Sequence, residues 1–307
     1  MTAPASTAFR GIWPALMTPL TASLDIDHDR YAAHARRLLD AGCGGVTPFG
    51  TTGEGPSFSV SERQAAIEAL VAGGVPASRI TVSTSAAALT DVVDLTRHAV
   101  RLGTHAALVL PPFFFKGVSD AGIIDFYRRV IERVADERLR IYLYHIPQVA
   151  AVGLSHAVIE TLLRDYPDTI LGIKDSACDR VHSVGLARAF MPDLSVYVGN
   201  ELDLPEMGRL GSTGAISGLA NFMPRVVHQL VTQPDGATTP DQLERVRRLL
   251  GVLGGYALIP ALKAIMGRLT GDDAWLRVRP PLVALSPAEA DALGQALQAL
   301  ALDPARD

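Results

Sequence analysis

The sequence is short of several things that would each point to a class of function. It holds two cysteines, Cys43 and Cys178, in 307 residues. Two thiols do not build a disulfide framework, and neither is spaced to histidines as in a zinc site. No stretch approaches the ~20 consecutive apolar residues that span a bilayer. The opening MTAPASTAFR lacks the apolar centre of a signal peptide, so a cytoplasmic protein is expected. The formal net charge is −4 and no basic run or basic-aromatic stripe occurs, which removes the electrostatic case for nucleic acid or an anionic membrane. No GxGxxG follows a strand-like segment, so a dinucleotide fold loses its best support. The eight histidines are scattered.

What is present is a soluble globular composition, 48% hydrophobic and 20% charged, arranged in two alternating textures. Short β-rich runs occur at residues 11–18, 44–50, 80–85, 106–111, 140–146, 170–175, 195–200 and 214–219. Each is followed by a segment of helical periodicity. In SVSERQAAIEALVAGG, Ile67, Leu70 and Val71 share a face; in ALTDVVDLTRHAVRLG, Val92, Leu95 and Val100 recur near helical spacing. Ser59 or Ser61, Asp91 and Ser119 are candidate N-caps, with Glu62 reinforcing the first of these helices. Gly73-Gly74 and Gly103 suit helix C-termini. Near-continuous apolar strands alternating with helices predict a parallel sheet covered by helices. Eight such units predict an α/β fold of the closed (β/α)8 TIM-barrel kind. After residue 221 the strands stop, and 224–232, 240–254, 259–268 and 286–301 read as helices. We therefore expect a barrel over 1–223, with 224–307 a C-terminal helical appendage packed on it as one structural unit.

In such a barrel the chemistry gathers where strands end, and these ends are chemically uneven: FGTTGEGPS, YLYHIP, GIKDS, VGNE and GAISG. Lys174 closes the apolar run TILGIKDSA. An amine taken partly out of water favours its neutral form, and a neutral amine attacks a carbonyl to give a Schiff base. The ordinary alternative is a strand-end lysine paired with Asp175. Thr51-Thr52-Gly53 offers two hydroxyls and free backbone N–H groups, a nest for a carboxylate, or else a common Gly-rich connector. Tyr144, before Pro147, is placed to pass a proton, or else is a core aromatic bonded to backbone. A lysine, a tyrosine and an anion nest at one barrel mouth form a sharper pattern than any of them alone.

With GTTGE at 50–54, YHIP at 144–147, GIKD at 172–175 and the glycine-bearing ends of the last two strands, the chain resembles the dihydrodipicolinate synthase/N-acetylneuraminate lyase family of pyruvate-handling class I aldolases. The resemblance runs from about Phe9 to the last helix. It implies a (β/α)8 barrel, a homotetramer or homodimer, pyruvate or another 2-oxo acid as substrate, and no metal or other cofactor, because the iminium is the electron sink. Carried over by position, Lys174 matches the Schiff-base lysine and Tyr144 the proton-shuttling tyrosine. Thr51 and Thr52 match the pair that binds the pyruvate carboxylate, with Thr51 also in the relay. Ile216 matches the apolar lining of the pyruvate site, and Gly199 a backbone contact.

The departures from that pattern narrow the substrate. The synthase proper carries an arginine five positions beyond the tyrosine to grip a second carboxylate. Val149 stands there, and losing such a charged hydrogen bond costs about 1.5–3 kcal/mol. Ser176, two after the lysine, resembles the hydroxyl that sugar-acid aldolases keep. Glu201 lies near an acidic position that binds sugar hydroxyls, or else is a surface ion pair. The family's interface tyrosine is replaced by Phe114 in LPPFFFKG, with Lys116 or a water as possible stand-ins. The leading expectation is a Schiff-base lyase acting next to pyruvate on a 2-keto-3-deoxy sugar acid or related 2-oxo acid. The alternatives are a 4-hydroxy-tetrahydrodipicolinate synthase, a deoxy sugar acid dehydratase, and a keto-acid-binding barrel without turnover.

Overall fold

The computed structural model describes residues 10–301. Its strands are β1 (Gly11–Leu16), β2 (Thr47–Pro48), β3 (Thr81–Ser83), β4 (Ala106–Val109), β5 (Ile141–His145), β6 (Ile170–Asp175), β7 (Ser195–Val198) and β8 (Gly214–Ser217). They form one parallel sheet in the order β2-β1-β8-β7-β6-β5-β4-β3. A parallel bridge between Val46 and Ile80 joins its two ends, so the sheet closes into the expected (β/α)8 barrel. Each strand lies within a predicted β-rich run. β2 is short because Pro48 donates no backbone hydrogen bond.

Among the described residues twelve helices accompany the strands: α1 (His28–Asp40), α2 (Val60–Ala72), α3 (Leu89–Arg101), α4 (Asp120–Val134), α5 (Pro147–Ala150), α6 (His156–Asp165), α7 (Arg180–Phe190), α8 (Leu204–Arg209), α9 (Pro224–Thr232), α10 (Thr239–Leu253), α11 (Leu258–Thr270) and α12 (Pro287–Ala299). Ser59 caps α2 in a full capping box with Glu62, and the Ser119 side chain accepts from Gly122 N at the start of α4. Asp91 is not a cap. α3 begins two residues earlier with Ala88 at the cap position, and Asp91 sits in its first turn, where a carboxylate still favours the helix dipole. Among the described residues no single helix is long and apolar enough to cross a membrane; α10 and α11 pass that test only as a pair bent by 118°. Most of α11 is buried within the chain.

Successive side chains on a strand face opposite ways, and the barrel uses this to make two cores. Trp13, Leu108, Tyr142, Tyr144, Tyr197 and Ile216 fill the interior. Their strand neighbours Ile12, Val109, Leu143, Ile173, Val196 and Ala215 pack outward under the helices. On β6, Lys174 therefore shares the inward parity of Tyr144 on β5, and Asp175 the outward parity of His145.

Three desolvated histidines, two of them buried and His105 half-buried, give the fold a pH signature. Desolvation pushes His34 down to about 3, with the Arg37 charge adding to it. It lowers His105 to about 4. His145 is also held at about 4, by burial and by neighbouring His182, against the opposing pull of Asp175. A base whose folded pKa is depressed contributes stability that is present above its unfolded value near 6.5 and lost as pH falls through the folded value. The melting temperature is therefore expected to drop between about pH 6.5 and pH 4, and His34→Gln to shallow that slope. Calorimetry at constant ionic strength checks this; a flat profile across the window contradicts it.

Candidate active site

The site is built where β5 and β6 end. Tyr144 and Lys174 are direct cross-strand partners in the register that pairs His145 with Asp175. Both are buried, Lys174 being 4% exposed. Lys174 Nζ donates to Tyr144 Oη at 3.3 Å and lies 4.4 Å from the centre of its ring. Tyr144 Oη is 3.2 Å from Thr51 Oγ1. A threonine from the β2 loop, a tyrosine from β5 and a lysine from β6 thus form one hydrogen-bonded chain. The Asp175 carboxylate does not pair with Lys174. It faces the other way and accepts from Ser183 Oγ at 2.5 Å and Ala177 N at 3.1 Å.

The Thr51–Glu54 turn is closed by Glu54 N donating to Thr51 O at 3.1 Å and is pinned from the segment after β1 by Thr18 Oγ1 donating to Gly53 O at 2.8 Å. A Cβ on Gly53 would sit 2.6 Å from Leu16 O, so a side chain there is excluded by backbone. Thr52 turns its hydroxyl toward the end of β8, where a Cβ on Gly218 would approach Thr52 Oγ1 to 3.1 Å. Ile216, 2% exposed, packs in the interior cluster with Tyr144. Gly199 N donates to Asp175 O at 2.7 Å, and a Cβ on Gly199 would overlap Ser176 Oγ. The hydroxyl of Ser176 thus occupies the space that this glycine leaves open. All the proposed contact residues border one end of the barrel.

Glu201 is not a surface ion pair. It is 6% exposed and accepts from Ser217 Oγ at 2.5 Å. Burial raises its pKa above the ordinary carboxylate range, with Ser217, backbone N–H groups and the Lys174 charge pulling it back. Ser217 escaped sequence reasoning; its signal was a hydroxyl at the last position of β8, in GAISG. Val149 and Phe114 are exposed, Phe114 at 71%. The threonine–tyrosine–lysine chain forms without Phe114. Lys116 is engaged elsewhere: its Nζ donates to the Phe113 and Ala150 carbonyls.

Behind the strands that carry Tyr144 and Lys174 lies a cavity of about 490 Å³ bordered by His145, His182, His156 and Asp120. His145, Asp175 and His182 bring ligand-type atoms within 4.8 Å of one another. Leu154 N donates to His145 Nδ1 at 2.9 Å, so the neutral ring carries its proton on Nε2 and has no second lone pair to give a metal. The two imidazoles also stack, 4.4 Å apart and 18° from parallel. The arrangement is that of outward-facing packing.

Residues 8–300 match the family model described as the dihydrodipicolinate synthetase family. The chain belongs to that family. It is a lyase of the aldolase type found there. An uncharacterized DapA-like lyase of Chloroflexus aurantiacus is 35% identical over 294 residues, which cover 94% of this chain and 96% of that protein. The crystal structure of dihydrodipicolinate synthase from Agrobacterium tumefaciens superposes with a TM-score of 0.89 at 35% identity, covering 95% of this chain and 99% of that one. YagE of E. coli K12, a family member solved in complex with pyruvate, gives 0.86 at 26% identity, covering 96% and 99%.

Proposed function

We propose that this family member is a Schiff-base lyase that makes or cleaves the carbon–carbon bond next to pyruvate, acting on a 2-keto-3-deoxy sugar acid or a related 2-oxo acid. The observation that carries the reading is the chain from Thr51 Oγ1 through Tyr144 Oη to Lys174 Nζ, two contacts of 3.2 and 3.3 Å. The substrate carboxylate docks on the Thr51-Thr52 turn. Lys174 Nζ in its neutral form attacks the ketone, and Tyr144 supplies the proton that lets the carbonyl oxygen leave as water. The iminium draws in the electron pair of the bond beyond the carbon next to it, so that bond breaks. An aldehyde departs once its hydroxyl proton is taken, and an enamine remains on the lysine. Protonation of the enamine and hydrolysis release pyruvate; condensation runs the same steps in reverse.

Buried Glu201 with Ser217, and Ser176 against Gly199, support a hydroxylated substrate. Identity to the Agrobacterium synthase supports the competing reading, condensation of pyruvate with aspartate semialdehyde. Against it stands exposed Val149, which offers a carboxylate nothing to bind. Borohydride reduction in the presence of pyruvate is expected to leave a pyruvate-derived mass on the peptide bearing Lys174. Folded protein with no adduct there would sink the mechanism. Turnover of 2-keto-3-deoxy acids, set against that of aspartate semialdehyde with pyruvate, then separates the two readings.

A further inference from the structure

We propose that Lys263, on the C-terminal helix α11, is a positioning residue for the Thr51-Thr52 carboxylate nest, acting through Glu54. The inference rests on the reading of that turn as the 2-oxo acid site. Lys263 is fully buried. Its Nζ forms an ion pair with Glu54 Oε1 at 2.5 Å and donates to Arg277 O at 2.7 Å. Neither side chain of the pair has any exposure.

Glu54 is the residue that closes the nest, and it does so with φ +57°, a left-handed conformation that a non-glycine residue holds only when its surroundings impose it. The next bond, Gly55 N to Gly50 O at 3.2 Å, fixes the base of the same loop. A Cβ on Gly55 would overlap Phe49 O, so the loop is packed against its own strand end. The nest is therefore held at three points: by Thr18 at Gly53, by backbone bonding at its base, and by Lys263 at Glu54. The first two are local to the barrel; the third comes from a helix beyond the last strand. Thr51 and Thr52 are partly exposed at the tip of this loop, and their position depends on these anchors.

A buried carboxylate whose ammonium is removed has to leave or take up a proton. Apart from the Lys263 ion pair, neither Glu54 carboxylate oxygen has a hydrogen-bond partner among the described residues, so nothing else holds the carboxylate inside. Either outcome releases the turn at Glu54, two residues beyond Thr52. A displacement of about 1 Å in a positioning element is enough to cost up to ~100-fold.

The test uses the full chain with pyruvate as probe, and reads the rate of borohydride-trapped adduct against pyruvate concentration. In Lys263→Met the half-saturating pyruvate concentration is expected to rise about tenfold or more. The limiting rate at saturating pyruvate should stay within about twofold of wild type, because Lys174 and Tyr144 are untouched. A purely structural role lowers the melting temperature and leaves half-saturation unchanged. The double variant Glu54→Gln/Lys263→Met removes the buried charge, so it is expected to recover melting temperature and to keep the raised half-saturation. Wild-type half-saturation in either folded variant overturns the proposal. Should Lys263→Met not fold, the double variant decides. Absence of adduct in the wild type would instead refute the Schiff-base reading itself.

Discussion

Lys174→Met is expected to abolish the trappable adduct and to lower turnover by about 10⁴-fold or more, while leaving the fold as stable as before or more so. The loss follows because no other amine stands at the end of the chain formed with Tyr144 and Thr51, and a nucleophile removed from a unit removes the pathway through it. The effect on stability runs the other way. Lys174 is almost fully buried, its side chain donates to Tyr144 at 3.3 Å, and among the described residues it forms no ion pair. Replacing a buried amine of that kind with a thioether of similar length removes a desolvation cost. Activity and melting temperature measured on one preparation check both halves. A variant that loses activity together with several kcal/mol of stability would mark Lys174 as a structural residue.

The second large effect is expected from Tyr144→Phe. The ring stays, and with it the 4.4 Å contact to Nζ and the packing in the barrel interior. What goes is the hydroxyl between Lys174 and Thr51. Loss of a positioned proton donor and acceptor costs about 10²–10⁴-fold in kcat. Because the amine survives, the pyruvate adduct still forms, only more slowly, and single-turnover trapping should show a slowed rate with a full final yield. A variant with unaltered kcat would remove Tyr144 from the chemistry.

Much of this was legible before the structure. The strands could be read because each is an apolar run of the right length between turn residues, and the C-terminal helices because their apolar residues recur with the helical period. The inward placing of Lys174 and Tyr144 follows from two-residue alternation once the register is known, but the register joins residues 30 apart and no local pattern carries it. The same reason hides Ser217 beneath Glu201 and Lys263 beneath Glu54. In each pair, burial is decided by which distant segment covers the residue. Asp91 reads as a cap because an acidic residue in the first helical turn and one at the cap position look alike in sequence; the start of α3 at Leu89 decides between them.

The pairing of Tyr144 with Lys174 across adjacent strands bears on how such a protein can drift by gaining or losing residues. The separation of the two groups is set by the ladder between β5 and β6, not by the length of chain joining them. Insertions in the turn around residues 166–169 therefore leave the pair intact. A single-residue deletion inside β6 is a different event. It would rotate Asp175 or Ile173 into the inward position and turn the lysine out toward the helices, so that one lost codon would erase the reaction while preserving every strand of the barrel.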